Sequence, residues 1–341
     1  MLKIAVTLKS LNYIFPFHPS FPLMKVEDAV LEAEEILREL RSGQIAVHHA
    51  LPRLKRLSLS YPGNARIARI RAKALVAALT ILASKGRLEE AENVFEELLE
   101  ATTPYSNVGV TLERLNGAVT AIALLAKGEK TATIPGYLSI LREAYKSNPE
   151  MFDFAFSLGA GLSNAIYQYA KAGAWQEVKR LTLELLELGR MWEGSRVQLT
   201  VSHGLFNVIV AANPARRLDV SEPLLSALIE QASRYPKARE TQLLLAQALA
   251  DSIYGFGVEG QVGKVSEFLK LLKGIFHAWS EDPEFAKSML AAFKHALLVY
   301  HKLKMMKEFK RVLGEFESFA SMTDNPTVRK DLELFKRLLK T

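Results

Sequence analysis

The chain has no cysteine in 341 residues. That single absence excludes disulfides, thiolate metal sites and a cysteine nucleophile, so neither a stapled secreted scaffold nor a zinc-finger protein fits, and a reducing, cytoplasmic setting is expected. Long hydrophobic runs are missing as well. A stretch such as Ala74 to Ala83, interrupted by one Thr, falls well short of the roughly 20 apolar residues that span a bilayer, so no membrane partner is expected. Histidine is sparse: of seven, at positions 18, 48, 49, 203, 277, 295 and 301, no two are four apart, and neither HExxH nor GxSxG occurs. The 13 Pro and 19 Gly do not gather at a linker but recur along the chain. Length alone suggests two domains; evenly spaced breakers point instead to a repeat array.

Prolines set the frame of that array. Pro62, Pro104, Pro149, Pro236, Pro283 and Pro326 each follow an apolar helical stretch, and one double-length gap has its midpoint near Trp192. The period is about 44 residues. Within each period two helical patterns meet at a short break, with Gly43, Gly86, Gly128, Gly173 and Gly260 as the markers. Leu88, Ala91, Phe95 and Leu98 recur at three and four, which gathers them on one helical stripe while Glu89, Glu90, Glu92, Glu96 and Glu97 face water. Outside the first 24 residues no segment sustains a period of two. The reading is an all-α protein, an α-solenoid of about seven antiparallel helix pairs plus a C-terminal capping helix.

First helices are expected at about 25–41, 63–84, 105–127, 150–172, 193–213, 237–256 and 284–301. Their partners fall at about 44–60, 87–101, 133–147, 174–188, 220–234, 261–279 and 303–320. A final amphipathic segment, Thr327 to Lys340, suits the cap that a solenoid end needs, and brings the count to fifteen. The domains are then a repeat array over 25–326, a cap over 327–341 and a distinct segment over 1–24. That last segment sets Tyr13, Phe15, Phe17 and Phe21 among Pro16, Pro19 and Pro22, which rules out one continuous helix. It reads either as an apolar cap on the first pair or as an extension ahead of a natural start at Met24.

Gly86 to Pro104, with Gly86, Ala91 and Phe95 at matching positions, resembles the second helix of a tetratricopeptide repeat and the proline after it. Gly173 with Trp175, and Gly260 with Val262 and Val265, are looser copies. The likeness is to a superfamily pattern over about residues 25–320. It departs from the family in its longer period and in a first-helix signature reduced to Leu158 and Gly159; HEAT-like pairs share the longer period. The resemblance implies that first helices line a concave groove in which Asn side chains grip an extended peptide backbone.

The most enzyme-like string, Gly255, Gly257 and Gly260, spells GxGxxG, but Gln242 to Tyr254 ahead of it reads as helix, whereas a dinucleotide fingerprint needs a strand there. It is expected to be a flexible connection, with Gly260 to Lys264 at a helix start as a possible anion holder. Paired acids such as Glu34 and Glu35 sit on charged helix faces. No catalytic residue, cofactor or metal site is expected, and the protein reads as a non-enzyme.

Polar residues on the apolar first helices say more, because a half-buried helix face tolerates them only where they are hydrogen-bonded or face an opening. Asn164, Asn207 and Asp251 occupy one position of the repeat, and Asn116 sits one turn earlier on a matching face. They are candidate partner-binding residues; the same side chains could instead join neighbouring helices. Charge supplies the other candidates. Between Arg41 and Leu88 stand ten Lys or Arg and no acid, so the remaining 34 basic residues face all 37 acids. Arg66, Arg69 and Lys73, at i, i+3 and i+7, form one stripe on a first helix. The leading expectation is a scaffold that binds a protein or peptide in its groove. The alternative is a nucleic-acid-binding solenoid whose 41–88 segment meets phosphates. Abundant Glu, Lys and Arg also suit a thermophile's protein.

Overall fold

A computed structural model describes residues 24–126, 128–194, 196–322 and 326–339. The expectations for the segment before Met24 lie outside the described residues. Among the described residues fifteen α-helices follow one another: α1 (Val26–Ser42), α2 (Val47–Ser60), α3 (Ala65–Ser84), α4 (Leu88–Thr102), α5 (Val108–Leu124), α6 (Ile134–Ser147), α7 (Phe152–Lys171) and α8 (Trp175–Met191), then α9 (Val197–Ala212), α10 (Leu218–Arg234), α11 (Arg239–Val258), α12 (Val262–Ala278), α13 (Pro283–Lys302), α14 (Met306–Met322) and α15 (Pro326–Leu338). No strand occurs among the described residues. The all-α solenoid of helix pairs expected from the repeat is the architecture found. The α5–α6 joint departs from the simple two-helix unit, because a 3₁₀ helix over Gly128–Thr133 fills it.

The joints follow from backbone chemistry. Gly43, Gly86, Gly173 and Gly260 stand at φ between +73° and +77°, the left-handed conformation that ends a helix and that only glycine adopts without a Cβ penalty. Two later joints reach the same conformation without glycine, at Arg216 (φ 55°) and Lys304 (φ 57°). Gly173, Arg216, Gly260 and Lys304 are 43 or 44 residues apart, so the turn is set by position in the repeat as much as by residue type.

Odd-numbered helices each pack on the next odd helix, from α1 through α15, whereas even-numbered helices pack their backbones on the odd helices flanking them and reach one another through long side chains, as Arg142 to Glu184 and Phe276 to Phe319 do. The odd layer is therefore the closely spaced one, and its face away from the even helices is left open. Between the layers a second periodic feature sets the approach. A Cβ on Gly117, Gly161 or Gly204 would fall 2.1–2.2 Å from a methyl of Leu98, Leu141 or Leu185 respectively. Each leucine comes from the even helix before the glycine's own and is fully buried. The glycines again lie 43–44 residues apart, and Ala248 and Ala292 continue the series, both fully buried. At the far end α15 covers α13 and α14 by burying Val328, Leu332 and Phe335.

One sequence expectation needs correction. Gly255 and Gly257 are not a flexible connection but lie buried inside α11. A Cβ on Gly257 would meet a methyl of Val299 on α13 at 2.4 Å, and one on Gly255 would touch Asn213 at 3.0 Å. Val299 approaches Gly257 too closely for any side chain, while at Gly255 a Cβ would fit only tightly against Asn213. Only Gly260 forms the turn, and Lys264 behind it is ion-paired to Glu222 at 3.3 Å and Glu267 at 3.4 Å.

Candidate binding groove

The free face of the odd helices carries a row of polar side chains that cross from one repeat to the next. Asn164 Nδ2 donates to the Val119 carbonyl at 3.4 Å, Asn207 Nδ2 to the Ser163 carbonyl and Oγ, each at 3.4 Å, and Gln168 Nε2 to the Ala123 carbonyl at 2.9 Å. Farther on, His295 Nδ1 meets the Ala250 carbonyl at 2.7 Å. Each spans 44 or 45 residues, one repeat, so the same register that places an amide on one helix places a helical carbonyl opposite it. The bonds made by Asn164 and Asn207 are long. Asn164 keeps a second N–H, and both amides keep a carbonyl oxygen, for other partners.

Asn164 and Asn207 meet in one cavity of 530 Å³ between α5, α7 and α9, with Phe156, Tyr167, Gln168 and His203 among its walls. Among the described residues no charged side chain lines it. The imidazole of His203 has an edge open to solvent, yet the enclosing helices disfavour its charged form and push its pKa below the ordinary value, with Glu240 opposing. Two cations flank the aromatic walls: Lys171 Nζ lies 5.3 Å from the Tyr167 ring centre and the Arg196 guanidinium 5.6 Å from that of Phe156. An apolar row runs one turn past the amides, through Tyr167, Val210, Tyr254 and Leu298, again at 43–44 residues; Tyr254 and Leu298 are 46% and 44% exposed.

Asp251 occupies the amide register on α11 without doing what its neighbours do, since a carboxylate cannot donate. Instead its Oδ2 accepts from Asn213 Nδ2 at 2.9 Å. Burial raises its pKa, while the Asn213 bond and the nearby His295 oppose the rise. The folded state therefore holds this proton more tightly than the unfolded chain. The associated stability is present below the unfolded carboxyl pKa and is lost as pH climbs through the folded value. Asp251→Asn is thus expected to raise the urea midpoint at pH 7, with the gain shrinking toward zero below about pH 4. Equal or lower stability of the variant at pH 7 would show that the ionised carboxylate has a stabilising partner.

The basic stripe is only partly free. Arg66 pairs with Glu34 at 2.8 Å and Arg69 with Glu113 at 3.4 Å. Of the ten basic residues between Arg41 and Leu88, five find acids contributed by neighbouring helices or the next turn, the others being Arg53 with Glu32, Arg71 with Glu97 and Arg87 with Glu90. Lys73, half-buried, makes no ion pair among the described residues. It shares a second cavity, of 520 Å³ between α1, α3 and α5, with Arg41 and Asn116. Asn116 is exposed and donates to Glu113 Oε2 at 3.2 Å.

The structure thus brings Asn164 with Asn207, and Asn116 with Lys73, while Asp251 stands one odd helix beyond Asn207 and Arg66 and Arg69 are tied to neighbouring acids. Phe156, Tyr167, Gln168, His203 and Arg41 were not among the sequence candidates. Tyr167 and Gln168 were open to detection, since they fall one turn after Asn164. These features define an all-α helical-repeat protein with an open, amide-lined cavity on its odd-helix face. No protein-family model and no curated protein matches the chain. Among the described residues no helix is long and apolar enough to cross a membrane.

Proposed function

We propose that this chain is a non-catalytic helical-repeat scaffold, of the tetratricopeptide-like kind, that binds an extended segment of another protein across its odd helices. The reading rests chiefly on the 530 Å³ cavity in which Asn164 and Asn207 present unused amide capacity beside exposed aromatic faces. An extended backbone offers N–H and C=O groups that paired amides satisfy, and an apolar side chain fits between Phe156 and Tyr167. A phosphate-binding reading draws less support. Strong nucleic-acid binding takes several free cations, and half of the basic run is spent on ion pairs. The cysteine-free composition supports a reducing, cytoplasmic setting.

Panning a phage-displayed library of random dodecapeptides on the full chain tests the reading. An enriched family of peptides is expected, losing at least ten-fold in affinity on the Asn164→Ala, Asn207→Ala variant. Because their three inter-repeat bonds are all long, 3.4 Å each, that variant should lose less than about 2 kcal/mol of stability. Enriched peptides indifferent to both substitutions, or no enrichment, would sink the groove reading.

A further inference from the structure

We propose that the cavity shared by α1, α3 and α5 is a carboxylate-binding subsite of the same groove. The partner segment then carries an Asp or Glu about five or six residues from its apolar anchor. The inference rests on the groove reading above and adds the partner's charge and spacing to it.

The local charge count carries the argument. Two cations, Arg41 and Lys73, line the cavity together with one carboxylate, that of Glu113, which is nearly buried at 7% exposure and is paired to Arg69. Both of its oxygens are engaged: Oε1 takes the Arg69 Nε at 3.4 Å and Oε2 takes the Asn116 amide at 3.2 Å. Glu113 is therefore committed, and Arg41 and Lys73 face the cavity without an ion-pair partner among the described residues. Lys73 is half-buried on the middle of α3, away from the helix ends, so complementing a helix dipole does not explain it. Its stem is partly covered by the cavity wall while its ammonium, with no ion-pair partner among the described residues, is available to an incoming anion. Thr80 and Thr120 add hydroxyls to the wall, and both are already donating to their own helix, to the Val76 and Asn116 carbonyls. Their oxygens do not offer a donor, which leaves the two cations and the second Asn116 N–H to meet the ligand.

Two free cations suit one or two carboxylates better than a nucleic-acid backbone, which presents a phosphate at every residue. Geometry fixes the spacing. The centre of this cavity lies on α3 and that of the amide-lined cavity on α7, two odd-helix steps away. At about 8–10 Å per step the distance is about 16–20 Å, which an extended chain rising about 3.3 Å per residue covers in five or six residues. The two cavities share α5, where Asn116 and Thr120 line one and Ala123, one turn on, lines the other. One strand of peptide can therefore lie across both.

Peptides enriched from the random dodecapeptide library on the wild-type chain are sequenced, and the strongest binder is synthesised with a fluorescein label for anisotropy titration. Expected is an acidic residue five or six positions from an aromatic or branched aliphatic one, in either chain direction. Its replacement by Lys should weaken binding about ten-fold, equivalent to about 1.4 kcal/mol. Removing three residues of spacer should do the same. On the Arg41→Glu, Lys73→Glu variant the acidic preference should vanish while a peptide carrying only the anchor binds as to wild type. Enriched peptides that share an anchor but no spaced acid would overturn this inference and leave the groove reading standing; failure to enrich any anchor would remove the groove reading itself. A mixed-sequence RNA of twenty nucleotides is titrated alongside at about 50 and 200 mM salt. RNA binding abolished by the same double substitution would reassign the cavity to phosphate.

Discussion

Leu141→Ala and Gly161→Ala are each expected to destabilise the protein, and the double variant to be less damaged than their sum by about 1.5 kcal/mol or more. Leu141 is fully buried, and its removal costs the transfer of its side chain plus a cavity, about 2–5 kcal/mol. A Cβ on Gly161 would stand 2.1 Å from a Leu141 methyl, while its next neighbour, Ile122, is at an ordinary 3.6 Å. The single alanine therefore overpacks the contact at about 1–3 kcal/mol, offset by the roughly 0.5–1 kcal/mol that Ala gains over Gly in a helix. With Leu141 gone the obstacle and the cavity coincide, so the alanine methyl enters the space the leucine vacated. Urea unfolding of the four proteins completes the cycle. Additivity within about 0.5 kcal/mol would mean that leucine-on-glycine packing does not set the distance between the layers.

That pair also shows what the sequence could and could not disclose. The period and the fifteen helices were legible because amphipathic stripes and helix-ending breaks are local features, each readable within one turn or one joint. Gly117, Gly161 and Gly204 keep the same period, yet they lie inside helices, and glycine there reads as a weakness until a leucine from another helix is seen to occupy its Cβ position. Gly255 and Gly257 misled for the same reason. A spacing of two glycines suggested a connection, and the approach of Val299 that demands glycine is a tertiary fact.

The groove residues divide along similar lines. Asn164 and Asn207 stood out as polar side chains on apolar helices, and the shared register was correct, but that their bonds run to the carbonyl one repeat back follows only from the helices' packing. The basic run illustrates the opposite limit. Ten cations without an acid look like a patch when counted along the chain, while in space Glu32, Glu34, Glu97 and Glu113 from other helices neutralise four of them. Of the five cations that no ion pair among the described residues engages, Lys73 and Arg41 share one cavity. Charge along a repeat protein has to be counted across neighbours, because each helix meets residues about one period away.

Arg71 carries the other large effect. It lies on the side of α3 away from the groove stripe, and its guanidinium joins Glu97 on α4 at 2.6 Å with the two side chains only 10% and 25% exposed. Its Nε is buried without a partner. Arg71→Ala strands the Glu97 carboxylate between the layers and is expected to cost about 2–4 kcal/mol, toward the lower end of what breaking a buried pair usually costs because Glu97 keeps some water. The loss should concentrate locally, since each unit of a solenoid contacts only its neighbours. Hydrogen exchange in α3 and α4 should accelerate well before that in α11 to α13. Replacing both partners, Arg71→Met with Glu97→Leu, removes the stranded charge and should return stability to within about 1 kcal/mol of wild type. If the double apolar variant is as unstable as Arg71→Ala, the pair contributes net attraction rather than mutual neutralisation. If Arg71→Ala is neutral, Glu97 is solvated on breaking and the contact belongs with the surface pairs, worth about 0–1 kcal/mol.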